Sequence, residues 1–157
     1  MKEIQLTKNL VTLVDDCDYD FLNQWRWLAS RSRKSDNYYA IRTVYNGKKK
    51  INTKMHRVIL DAKDGDVVDH INMNCLDNRR CNLRLCTYSQ NAKNRRKQIN
   101  NKSGIKGVHL HQNKWLAQIK NNGKKIYLGI FDEKLDAHNA YVEACKKYHK
   151  EFGNYEI

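Results

Sequence analysis

"VVDHINMNCLDNRRCNLRLCTYSQNAKNRR", residues 67–96, sets an Asp-His pair, repeated carboxamides and six arginines and lysines into thirty positions with almost no apolar continuity. "VVDH" reads as a short apolar strand that ends in a carboxylate and an imidazole. "INMNCLDN" follows at once, and Asn72, Asn74, Asp77 and Asn78 in it are turn formers. "CNLRLC" then supplies a second short strand able to pair back on the first. In "TYSQNAKNRR", Thr87 and Gln90 form a capping box that opens a helix. Strand, turn, strand and capped helix is therefore the predicted order, and the rest of the chain is read outward from it.

The residue types in this stretch suit one chemistry. Hydrolysis of a phosphodiester with a single metal ion needs a base for water, a hard divalent cation on the phosphate, and oxygen ligands that hold the cation. His70 is the candidate base. Asp69 and Asn91, a carboxylate and a carboxamide oxygen, make a hard-oxygen pair suited to Mg²⁺ or Mn²⁺. In a regular strand Asp69 and His70 point to opposite faces, so both reach one atom only if the strand ends there. Asn82 is placed to fix the His70 ring through an amide hydrogen bond. Asn94 and Arg95 fall three and four residues after Asn91, on its helical face, where they can meet phosphates. Cys75, Cys81 and Cys86 lack paired C-x-x-C spacing and a fourth ligand, so they are expected to be buried small hydrophobes rather than zinc ligands.

Charge placement names the partner class. The formal net charge is +13, and between Asn78 and Phe131 there is no acidic residue against thirteen lysines and arginines. Ordinary solvated faces mix both signs, so a polyanion is expected, and the Asn, Gln, Trp and Tyr among these cations favour nucleic acid over an anionic membrane. No stretch approaches the roughly 20 apolar residues of a membrane span. "MKEIQLTKNL" has no apolar secretion signal, and five cysteines, an odd count, read as reduced thiols, so a cytoplasmic location is expected.

Upstream of the motif, residues 1–60 read as strands with one short helix. "EIQLTKNLVTLV" alternates, Asp18 is placed to cap a short helix in "YDFLNQ", and "WRWLASRS" and "YYAIRTVY" are strand-like, with Asn46-Gly47 as a hairpin turn. "NTKMHRVIL" is ambiguous in type, and His56 and His149 read as structural or solvent-facing. "QINNKSG", residues 98–104, is the linker candidate. Beyond it "GVHLH", "KWLAQIKN" and "KKIYLGIF" alternate cleanly, with Asn122-Gly123 joining the last two. One face carries Val108, Leu110, Trp115, Ala117, Ile119, Ile126, Leu128 and Ile130; the other carries His109, His111, Leu116, Gln118, Lys120, Lys125 and Tyr127. Asp132 is placed to cap a helix running to about Phe152, stopped by Gly153, whose stripe of His138, Tyr141, Cys145, Tyr148 and Phe152 can cover the apolar face.

Two resemblances follow from these residues. "DHINMNCLDNRRCNLRLCTYSQNAKNR" resembles the HNH nuclease motif, a ββα-metal site, in the form found in phage and intron-associated homing endonucleases. The resemblance implies that His70 is the general base, that Asp69 and Asn91 bind the metal, and that Asn82 orients the base. Many members carry His at the helix position; Asn91 matches the subgroup with Asn. "MHRVIL", with His56 and Arg57, is similar to a segment common upstream of the motif. "GIKGVHLHQNKWLAQIKNNGKKIYLGIFDEKLDAHNAY" resembles the AP2 DNA-binding domain, "YLGIFD" and the Ala-rich helix being the most specific parts. That resemblance implies a sheet laid in the major groove, with Lys106, His109, His111, Gln118, Lys120, Lys125 and Tyr127 on DNA. Several arginines typical of plant members are Lys or His here, and Lys lacks the bidentate fork that reads guanine, so weaker sequence discrimination is expected.

The expected architecture is α+β: a β-rich region over 1–54, an HNH core over 55–97, the linker 98–104, and an AP2-like three-stranded antiparallel sheet packed on one helix over 105–157. The expected activity is metal-dependent hydrolysis of duplex DNA with Mg²⁺ or Mn²⁺, of homing type by resemblance, one centre per chain nicking one strand unless two chains meet. Arg79, Arg80, Arg84, Arg95 and Arg96 are expected to grip the backbone. No membrane or obligate protein partner is expected, and the chain acts as a monomer or homodimer. The rival readings are a non-catalytic DNA-binding regulator with a degenerate HNH fold, and an RNA-binding protein that uses its basic sheet on single strands.

Overall fold

A computed structural model describes residues 1–32, 36–97 and 100–155, leaving aside the side chain of Asn46. The fold is α+β, with several small antiparallel sheets and four α-helices among the described residues, and it divides into two compact units, Met1–Thr87 and Tyr88–Ile157. None of the helices is long and apolar enough to cross a membrane.

The first unit opens with a hairpin of β1 (Lys2–Gln5) and β2 (Val11–Val14), followed by α1 (Asp16–Leu22). β3 (Leu28–Arg31), β4 (Tyr38–Asn46) and β5 (Lys49–Lys54) form a second sheet in that order, and α2 (Met55–Ile59) leaves its edge. The ambiguous "NTKMHRVIL" thus splits between the end of β5 and the short helix. β6 (Val67–His70) and β7 (Leu83–Cys86) make the last sheet, with Asp69 opposite Arg84 and His70 opposite Leu83.

One core runs through all of this unit. Ile4, Val14, Leu22, Trp27, Ala40, Met55, Ile59 and Leu83 are buried together, so the β-rich start and the two strands of the motif share their apolar interior across the expected boundary at 54/55. The Trp27 indole, 1% exposed, donates to the Leu22 carbonyl at 2.8 Å, which satisfies its one polar atom.

Two local expectations are corrected here. Asp18 lies inside α1, and the N-cap position is Asp15; the Asp18 carboxylate instead takes two hydrogen bonds from Arg80, at 2.8 and 2.7 Å. The β4–β5 turn is centred on Gly47 and Lys48, one residue later than expected, with Asn46 paired to Lys49 and Gly47 taking the positive φ (59°) at the first turn position.

In the second unit, α3 (Tyr88–Lys93) is followed by a sheet ordered β10 (Lys124–Phe131), β9 (Lys114–Asn121), β8 (Val108–His111), all antiparallel. Asn122-Gly123 forms the β9–β10 turn as expected, with both residues at positive φ. α4 (Lys134–Tyr148) covers one face, and a 3-10 turn, Lys150–Phe152, completes the predicted run to Phe152 before Gly153. Its N-cap position is Glu133; Asp132 pairs with Lys114 at 2.7 Å instead.

The alternation holds along β8 and β9 and breaks once in β10. Tyr127 pairs with Gln118, but Gly129 pairs with Ala117, a bulge that shifts the later residues by one. Ile130 therefore lies opposite Leu116 on the outer face, 43% exposed, and Phe131 packs into the core in its place. Leu110 is also exposed, at the open end of β8. Along the helix stripe, Ala137, Tyr141, Ala144 and Cys145 share one core with Val108, Ala117 and Ile119, Tyr148 is partly buried against it, and His138 and Phe152 are buried. Gly107, at φ +75°, lets the Tyr141 ring lie against the backbone.

Candidate active site

β6 delivers Asp69 and His70 at its last two positions, and both are buried, at 5% exposure each. The strand is regular to that point, so the two side chains leave opposite faces. Asp69 meets its cross-strand neighbour Arg84, whose Nε and Nη2 both donate to Oδ2, at 2.9 and 2.7 Å. Such an ion pair, both ends largely desolvated, fixes the direction in which the carboxylate points.

His70 lies among aromatic rings and carboxamides. Its ring is 5.0 Å from that of buried His56 and 6.2 Å from that of Tyr39, both edge-on, and its Nε2 is 3.3 Å from Asn78 Oδ1. Burial lowers the His70 pKa below the usual histidine range, while the bond to Asn78 works in the opposite direction. His56 is pushed down to about 3, first by burial and then by the neighbouring His70. Both imidazoles are neutral at physiological pH, the state in which a ring nitrogen can accept a proton.

The turn after β6 is fully tied down. Ile71 N donates to Asn82 O, and Met73 N to His70 O, each at 2.9 Å. Asn72 and Asn74 close Asx turns, accepting from Asn74 N and Leu76 N. Buried Asp77 accepts from Arg79 Nε and Nη2, both at 2.7 Å, and from Asn72 Nδ2 at 2.8 Å; these bonds, Arg79 first, hold its carboxyl below the usual range. Leu13 and Asp77 form an isolated parallel bridge, which joins the turn to β2.

Several expected roles move in consequence. Asn82, the expected partner of the His70 ring, accepts from Asn72 N at 2.9 Å and donates to Asp77 O at 2.7 Å; the carboxamide that meets the ring is Asn78. Arg79, Arg80 and Arg84 are each ion-paired within the fold, with Asp77, Asp18 and Asp69, where free phosphate grips were expected. Of the three cysteines in the stretch only Cys75 is buried; Cys81 is exposed and Cys86 half-buried. No three His, Cys, Asp or Glu side chains converge as a metal cluster among the described residues.

Residues 53–93 match the sequence profile of the HNH endonuclease family. No curated protein and no solved structure matches the chain. The match supports an HNH nuclease domain, and with it a DNA substrate. It encloses α2, β6, β7 and α3, hence His56, Asp69, His70, Asn78, Asn82 and Asn91. Asp69, His70 and Asn82 belong to the first compact unit; Asn91, half-buried on α3, belongs to the second.

Beyond the HNH match, the outer face of the β8–β10 sheet exposes His109, His111, Lys120, Lys125 and Tyr127, with Gln118 half-buried between them. Lys106 turns away from that face: its ammonium donates to the Lys93 and Arg95 carbonyls, each at 2.7 Å, and burial lowers its pKa. α3 ends at Lys93, so Asn94 and Arg95 lie past the helix, and Asn94 is buried where phosphate contact was expected. Arg95 and Arg96 are exposed, and with Lys102, His109 and Lys120 they line one open groove beside the sheet.

The residues that sequence reasoning passed over are His56, Asn78 and Thr12. His56 was visible only as part of "MHRVIL", and Asn78 only as a turn former; their burial around His70 is a property of the fold.

Proposed function

We propose that the chain is a metal-dependent endonuclease acting on duplex DNA, with an HNH core and an AP2-like module in its C-terminal unit that places the core on its substrate. The observation that carries this reading is the pairing of Asp69 and His70 at the end of β6, antiparallel to β7, inside the segment that matches the HNH endonuclease family. In this reading the nuclease is of the homing type and nicks one strand per centre.

His70 takes a proton from water; its neutral, buried ring suits that step. Asp69 would hold Mg²⁺ or Mn²⁺, with Asn91 as the proposed second oxygen ligand. The donor set fits such an ion, because both supply hard oxygens and a small divalent cation keeps several waters and asks for only one or two protein ligands. Such an ion, when bound, would supply Lewis-acid polarisation of the scissile phosphate. Arg84 orients the Asp69 carboxylate. Asn82 holds the turn that ends β6, and thereby the position of His70. Arg95, Arg96, His109, His111, Gln118, Lys120, Lys125 and Tyr127 meet the duplex, the cations on phosphates and the sheet residues on base edges.

Supercoiled plasmid with Mg²⁺ tests the proposal. Nicking by the wild type that is lost in His70→Ala, with DNA binding retained, is the expected result. The second reading, a DNA-binding regulator whose motif no longer cleaves, draws support from the Arg84 guanidinium on the Asp69 carboxylate. DNA binding without metal-dependent cleavage by the wild type is its signature. Competition between duplex DNA and RNA of equal length separates either from an RNA-binding role.

A further inference from the structure

Thr12, on β2, lies fifty-eight positions before His70 yet belongs to the same hydrogen-bonded chain. Its hydroxyl oxygen is 2.8 Å from the Leu76 carbonyl oxygen and 2.7 Å from the Asn78 amide, whose other end is 3.3 Å from His70 Nε2. Thr12 is 0% exposed and Asn78 1%, so water cannot stand in for any partner. The backbone on both sides is pinned: Leu13 N donates to Leu76 O at 2.9 Å, and Asn78 N to Leu13 O at 2.8 Å.

Proton counting along this chain gives one consistent arrangement. Two oxygens 2.8 Å apart in a dry site need a proton between them, and a carbonyl brings none, so Thr12 donates to Leu76 O. The other acceptor near the hydroxyl, Met55 Sδ at 3.9 Å, is a weak one and does not compete. With its only proton spent, the Thr12 oxygen must accept from Asn78, which sets the NH₂ of that amide toward Thr12 and its oxygen toward the imidazole. An amide oxygen facing a ring nitrogen requires the proton on that nitrogen.

We infer that Thr12 and Asn78 are positioning residues that set the tautomer of His70, holding its proton on Nε2 and reserving Nδ1 as the proton-accepting nitrogen. The catalytic consequence rests on the reading of His70 as the general base; the tautomer itself does not. The opposite amide orientation would turn the Asn78 NH₂ on Nε2 and place the ring proton on Nδ1, which would remove its capacity to act as a base there.

Long-range ¹H–¹⁵N correlation of the imidazoles in the full chain reads the tautomer directly, with the His70 signals assigned by their loss in His70→Gln. The wild type is expected to carry the proton on Nε2; a wild type with the proton on Nδ1 overturns the inference. Thr12→Val removes the hydroxyl and releases the amide, so a second tautomer is expected, with kcat for plasmid nicking down about tenfold, the worth of one ordinary hydrogen bond, and KM unchanged. Thr12→Ser is expected to keep both the single tautomer and the rate. A folded Thr12→Val protein with pure Nε2–H and wild-type kcat also overturns it; if that variant does not fold, the wild-type spectrum decides. A wild type with Nε2–H that cuts no DNA supports the relay and removes the nuclease reading, whereas one that nicks with Nδ1–H removes the relay alone.

Discussion

His56 and His70 meet edge-on inside the first unit, their ring centroids 5.0 Å apart, with one on α2 and the other at the end of β6. The pair is buried and uncharged, so the fold holds two imidazoles that the unfolded chain would protonate in mild acid.

This makes the first unit sensitive to acid. The unfolded His56 takes a proton near pH 6.5 and the folded one only near 3, so its stabilising effect is complete above 6.5 and is lost as pH falls through that window. The slope is about 1.4 kcal/mol per pH unit for each histidine that stays neutral in the fold. Asp77 acts in the same direction at lower pH, because its carboxyl is held below its ordinary value of 3.8. Urea midpoints followed by Trp27 fluorescence should fall steadily between pH 7 and pH 5, and His56→Phe should flatten the trend. Equal midpoints across that range would refute the buried neutral pair.

Arg84 and Asp69 are the second test. Removing the guanidinium takes away the Arg84 ion pair from a carboxylate at 5% exposure. Arg84→Met should cost about 3 kcal/mol of unfolding free energy, and Asp69→Asn in the same chain should recover much of it, since the penalty comes from the stranded charge. Additive losses in the double variant would contradict the coupling.

Cations in the two units should separate by salt dependence. Arg95→Gln and Arg96→Gln each remove an exposed charge, so the slope of log affinity against log salt for duplex DNA should shrink by about 0.9 per residue. Arg79→Gln, whose side chain is spent on Asp77, should leave the slope unchanged and lower the melting temperature. A full unit of slope lost with Arg79 would mean that it does reach phosphate.

Gly107 and Gly123 have positive φ in common but not surroundings. A Cβ at Gly107 would lie 2.1 Å from the Tyr141 ring and 2.7 Å from Gln118 O, while one at Gly123 would meet nothing within 4 Å. Gly123→Ala should cost about 1 kcal/mol for its backbone conformation alone, and Gly107→Ala at least about 2 kcal/mol more from overpacking. Thermal unfolding of the two variants side by side measures the difference.

Local order was legible wherever a short-range rule had no competitor. The strands at 67–70 and 83–86, the Asn122-Gly123 hairpin and the helix stripe from His138 to Phe152 are set by alternation, turn chemistry and helical period, all of which act within a few residues. Where two rules competed, neighbours decided: Asp18 has the chemistry of a cap, but a buried place beside Arg80 claimed it. The bulge at Gly129 put Ile130 outward, since a one-residue shift reverses every later side chain and leaves no trace in the composition.

By itself the sequence determined the run of positive charge between Asn78 and Phe131, the strand pair that carries Asp69 and His70, and the sheet face that shows His109, His111, Lys120, Lys125 and Tyr127, because charge, period and turn propensity are additive along the chain. Only tertiary structure decided which partner each polar group takes. That Asn78 rather than Asn82 meets His70, that Thr12 anchors Asn78, and that Arg79, Arg80 and Arg84 face carboxylates depends on burial, where each donor must find an acceptor within about 3 Å irrespective of its distance in sequence.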